Sequence, residues 1–129
     1  MNTTLSIKEI RDQITYNPTL CKTNEELFQH RTLRPILKYL NHHLNTLLIT
    51  HCINFNNKFK ELSTMEQITF IQQQLSKNNS LKNQLLGCVI GLLDIEELSN
   101  YQKSMKEYNK RIQAMIEQRI LDQYLNFLY

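Results

Sequence analysis

Glycine and proline are nearly missing from this 129-residue chain, with two of each. That scarcity argues against a sheet-rich fold, which needs a tight turn at every reversal. Alanine is scarcer still, Ala114 being the sole example, while Asn, Gln, Ile, Lys and Leu abound; the bias is that of an AT-rich coding sequence rather than of a function. The cysteines Cys21, Cys52 and Cys88 are odd in number, stand roughly 30 residues apart and make no Cys-x-x-Cys pair. Reduced, mostly buried thiols in a cytoplasmic protein are therefore expected, not a disulfide framework. The longest apolar run, residues 85–93, contains both glycines and is too short to span a bilayer, and residues 1–14 hold no apolar leader. Gly-rich phosphate loops, Gly-x-Ser-x-Gly elbows and His-Glu-x-x-His pairs are all missing.

The net charge of +3 is uneven: residues 1–62 carry eight Lys/Arg against five Asp/Glu, and residues 63–129 carry seven of each. A surplus this small is weak support for a nucleic-acid or membrane partner. The length fits one domain, residues 1–129, with enough chain for a core that needs no staples.

What is present is helical periodicity. From residue 94 onward Leu98, Tyr101, Met105, Tyr108, Ile112 and Met115 recur at alternating steps of three and four, the spacing of one helix face. Asp94 and Glu97 form a capping box, and Leu93 and Leu98 stand where a hydrophobic staple closes. Beyond Met115 the apolar positions drift to Ile116, Ile120, Tyr124 and Phe127, which disfavours a long parallel coiled coil. A helix over residues 95–127 is expected, about 50 Å long, with the apolar end from Ile120 to Tyr129 docked on its own core or on a partner.

A second rod is expected over residues 35–61, where Ile36, Leu37, Leu40, Leu44, Leu48, Cys52, Phe55 and Phe59 keep helical spacing. Pro35 belongs in its first turn, and the residue before it interrupts the preceding helix, which Thr23 and Glu26 start. Shorter helices are expected over residues 5–16, from Ser63 to a turn at 77–79, and from a Ser80 cap through the apolar 81–93 segment. Gly87 and Gly91, four apart, suggest either close approach of another helix or, at Gly91, a helix end. The fold expected is an all-α bundle of about five helices.

Candidate chemistry is thin. His42, His43 and His51 are separated by one, eight and nine positions, not the three or four that bring imidazoles together on a helix. They are weak metal candidates, and no cofactor is expected. Cys52 has His51 beside it in sequence, but the two point about 100° apart. Arg31, Arg34 and Lys38 surround a helix start and form the better basic patch for an anion or nucleic acid. Lys103, Lys106, Lys110 and Arg111 are interleaved with Glu107 and read as a solvated face. Tyr101, Met105, Tyr108 and Met115 suit core or interface packing better than a ligand pocket.

Two stretches carry a family resemblance. They are Glu26-Leu27-Phe28-Gln29-His30-Arg31-Thr32-Leu33-Arg34-Pro35-Ile36-Leu37-Lys38, and the segment from Leu81 through Gly87-Cys88-Val89-Ile90-Gly91 to Asn109-Lys110-Arg111-Ile112 and Arg119. The pattern resembles small uncharacterised all-helical bacterial proteins that automatic annotation labels glyoxalase. The resemblance implies a shared helical fold and brings no catalytic residue set. Glyoxalases of the vicinal-oxygen-chelate kind present His and Glu ligands from strands, and this chain has no such strand pattern. The reading that follows is a non-enzymatic cytoplasmic interaction or regulatory module that forms a homodimer, or binds another helical protein, through the seam Leu98, Tyr101, Met105, Tyr108, Ile112, Met115, Ile116, Ile120, Tyr124 and Phe127. Nucleic-acid binding through Arg31, Arg34 and Lys38 is the first alternative and a metal-dependent or small-molecule enzyme the second; no membrane partner is expected.

Overall fold

A computed structural model describes residues 23–126. All the regular structure among them is helical. The expected first helix over residues 5–16, together with Cys21 and Phe127, lies outside the described residues.

The chain enters α1 (Asn24–Phe28) at Thr23, whose hydroxyl accepts from the Glu26 N–H at 3.0 Å. No interruption follows. The helix instead widens through a π turn, Gln29–Leu33, in which the Arg34 N–H reaches back five residues to the Gln29 carbonyl. It then resumes as α2 (Arg34–Tyr39) with Pro35 in the first turn. The widening has a physical cause in Pro35, which has no N–H to donate and whose ring would press on the carbonyl four residues back in a regular α-helix.

At Leu40, with φ −87° and ψ 3°, the rod kinks and continues as α3 (Asn41–Phe55). It stops at Asn56, so the segment expected to reach residue 61 ends six residues early and yields to a 3-10 turn, Phe59–Glu61. Ser63 and Glu66 close a full capping box on α4 (Thr64–Lys77). Asn78, not Ser80, caps α5 (Asn79–Ile90), its side chain accepting from the Leu81 N–H at 3.0 Å. Asp94 and Glu97 start α6 (Ile95–Gln102) with the expected box. The long C-terminal rod is broken once, at Lys103 and Ser104, before α7 (Met105–Asn126). None of the helices among the described residues is long and apolar enough to cross a membrane.

Packing is organised on α7. Gln29 accepts from the Arg111 guanidinium, Asn41 from Arg119, and Asn45 donates to Gln123, so α1 to α3 run alongside α7 in the same direction. Leu33, Ile36, Leu44, Leu48, Ile71, Leu81, Leu85, Val89 and Ile112 are all but fully buried. Near the start of α7 the Phe28 and Tyr108 rings meet with centroids 4.6 Å apart.

Gly87 does not admit a neighbouring helix. It is exposed, and a Cβ built on it meets nothing within 4 Å. Gly91 takes the other expected role and ends α5, its N–H bonded to the Gly87 carbonyl.

Candidate functional site

The apolar seam turns inward. Tyr101, Tyr108, Ile112, Ile116 and Ile120 are buried in the chain's own core, and Leu98, Met115 and Tyr124 are half-buried against it. Met105 is the one exposed member among those described, at 48%. The physical reason is that α1 to α5 already supply the face α7 needs, so the described part of the seam is a spine of the domain.

The histidines stay apart. His42 and His43 are exposed on α3, while His51 Nε2 lies 2.9 Å from Gln74 Oε1 and 3.3 Å from Asn78 Nδ2. No group of three or more His, Cys, Asp or Glu is placed to hold a metal ion among the described residues. The Cys52 thiol is completely buried, and burial pushes it from the ordinary 9.0 up to about 11. At neutral pH it is a protonated, inert side chain.

What the fold builds instead is a groove of about 900 Å³ between α3, the 3-10 turn, the start of α4 and the end of α7. Ile49, Ile53, Phe59 and Ile120 make its walls. Its polar groups are mostly neutral: Asn41, Asn45, Thr64, Gln67, Gln123 and the Tyr124 hydroxyl, with His42 and Lys60 at exposed edges. The described lining contains no carboxylate and no thiol.

Two hydrogen-bond chains hold these walls. At one side the Tyr124 hydroxyl donates to Gln67 Oε1, and Gln67 Nε2 donates to the Phe59 carbonyl at 3.0 Å, joining α7, α4 and the 3-10 turn. Burial raises the Tyr124 phenol above its usual range, and any negative charge on Cys52 would raise it further. At the other side Asn41 Oδ1 accepts from Arg119 Nε at 3.0 Å and from the Gln123 amide, and Asn45 Nδ2 donates to Gln123 Oε1 at 2.8 Å.

That second chain ties a cation, Arg119, to the lining residue Asn41. Arg119 is half-buried; burial first, and then the positive charge of Arg34, lower its guanidinium below the usual value. Arg34 is itself exposed, with Nη1 3.2 Å from His30 Nδ1. Arg31 and Lys38 are also exposed. Of the three basic residues singled out in the sequence, Arg34 is the one whose charge acts on Arg119.

The amides Asn41, Asn45, Gln67 and Gln123 escaped the sequence reading because single polar residues on a helix are ordinary surface. One signal was visible in retrospect: Asn41 and Asn45, like Arg119 and Gln123, stand four apart, each pair on a single helix face. Comparison of the chain with protein-family models, curated proteins and solved structures finds no match.

Proposed function

We propose that this protein is a non-catalytic binding module of the cytoplasm whose site is the groove between α3, α4 and α7, and that it takes a small, largely apolar molecule there. The observation that carries the reading is the combination of about 900 Å³ of concave space, aliphatic and aromatic walls, and a few convergent amides. Sites for small molecules span roughly 300–1,000 Å³ and are built from such walls with a few placed polar groups. A lining without carboxylate or thiol suits binding better than turnover.

Titration with the neutral fluorophore N-phenyl-1-naphthylamine tests the site. Saturable binding that is lost in Ile53→Glu, with the thermal midpoint of the variant checked separately, supports it. Unchanged binding by that variant, or no binding by the parent protein, overturns it.

Self-association is a second reading, and one observation favours a place for it. Phe55 and Met65 are 61% and 67% exposed. The Phe55 ring lies 6.1 Å from Phe70, which shares a shallow depression with Leu62 and Met65. This ledge, rather than the buried seam, is the surface a second copy would cover. Light scattering that gives a 15.4 kDa species at micromolar concentration removes this reading. A dimer that Phe55→Lys dissociates supports it.

A further inference from the structure

We infer that the groove takes a single-chain anionic amphiphile, whose alkyl chain lies along Ile49, Ile53, Phe59 and Ile120 and whose head group lies at the end where Asn41 of the lining holds the Arg119 guanidinium. This rests on the reading of the groove as a small-molecule site and adds the chemical class of the ligand.

Length is the first argument. The groove follows α3 from Asn41 to Ile53, twelve residue steps that rise about 18 Å. An extended alkyl chain advances about 1.25 Å per carbon, given bonds near 1.52 Å and angles near 111°, so about fourteen carbons fit that run.

Charge placement is the second argument. Arg119 lies immediately before the wall residue Ile120, and Asn41, a residue of the lining, fixes it through Nε. That bond uses Nε, and a guanidinium receives an anion through the planar fork of its nitrogens. Arg34 is exposed, and its positive charge acts on Arg119. Lys60, at the edge beyond Phe59, is exposed; a solvated lysine is a weaker anchor than a half-buried, pre-oriented arginine. The head therefore belongs at the Arg119 end. A free inorganic anion would leave the apolar walls unused, and a neutral chain would leave the arginines unused.

Displacement of N-phenyl-1-naphthylamine from the 129-residue protein, below micelle-forming concentrations, decides the matter. Tetradecanoate and tetradecyl phosphate are expected to displace the probe at concentrations about ten-fold lower than tetradecanol, and tetradecylammonium to be no better than the alcohol. Shortening the chain should weaken displacement about four-fold per methylene. Arg34→Gln and Arg119→Gln should each shrink the preference for acid over alcohol, and Lys60→Gln should shrink it less than either. Arg34 is exposed, so its variant keeps the test open if Arg119→Gln fails to fold. Equal displacement by acid and alcohol, or a preference that survives both arginine variants, overturns the head-group assignment but not the groove. Removal of the preference by millimolar inorganic phosphate, with no dependence on chain length, would mean an anion site separate from the groove and would also overturn it. A probe that never binds overturns the groove reading itself.

Discussion

Asn41 Oδ1 accepts from Arg119 Nε at 3.0 Å, and the same oxygen receives the Gln123 amide. One side-chain carbonyl thus ties the first residue of α3 to two successive turns of α7 and sets the edge of the groove. Asn41→Ala should cost about 2 kcal/mol, because it leaves a half-buried guanidinium and an amide without their acceptor. Urea denaturation, read at the transition midpoint, measures the loss. Asn41→Asp restores the acceptor and adds a charge complementary to Arg119. It should recover the stability near neutral pH and abolish any preference for anionic over neutral ligands.

Burial of the seam sets a sharp contrast within one helix. Ile112, fully buried, should cost roughly 2–5 kcal/mol when changed to Ala, whereas exposed Met105 should change stability by less than about 0.5 kcal/mol. Both belong to the same three-four pattern in the sequence. If Met105→Ala proved as damaging as Ile112→Ala, the strip would have to be covered in solution by something other than the chain's own core.

Most of the helices were legible because their signals are local. Ser63 with Glu66 and Asp94 with Glu97 form their capping boxes where the spacing says they should, and Pro35 sits in a first turn. What stayed hidden was set by relations between segments. The break at Lys103 and Ser104 and the early end at Phe55 interrupt patterns that remain periodic in sequence, because hydrophobic spacing records which face is buried and not whether the backbone stays straight. The π turn before Pro35 was hidden for the same reason: its extra residue keeps Leu33, Ile36 and Leu37 in the core, so the apolar pattern shows no gap. The groove depends on Asn41 meeting Arg119 across 78 positions, which no local spacing encodes.

The Cys52 thiol gives the fold a one-sided pH response. Its folded value of about 11 lies above the ordinary 9.0, so between those values the folded state binds more protons than the unfolded state. Stability is fully present below about pH 9 and is lost as pH rises toward 11. The loss from this one group is at most about 3 kcal/mol. Tyr101, Tyr108 and Tyr124 are raised too, chiefly by burial, and add in the same direction at higher pH. Thermal melts from pH 7 to 10.5 should show a falling midpoint above pH 9. Cys52→Ala should be less stable than the parent at pH 7, since it leaves a small cavity, and should close part of that gap at pH 10.5. A gap that stays constant across the range would mean that the thiol ionises as it does in the unfolded chain.

Gly87 is a place where the natural sequence leaves stability unused. It stands inside α5 on an exposed turn, no glycine among the described residues has a positive φ, and a Cβ there has open space within 4 Å. Neither steric need nor backbone conformation calls for glycine, while its flexibility in the unfolded chain and its exposed peptide groups both weigh against the helix. Gly87→Ala should therefore stabilise the protein by about 0.5–1 kcal/mol, seen as a higher urea midpoint with an unchanged slope. Gly91→Ala should gain less, because its Cβ meets the Gly87 carbonyl at 3.2 Å and something must shift to receive it. If Gly87→Ala destabilised instead, another surface would have to pack on this turn in solution, and α5 would carry a contact in addition to those it makes with α3, α4 and α7.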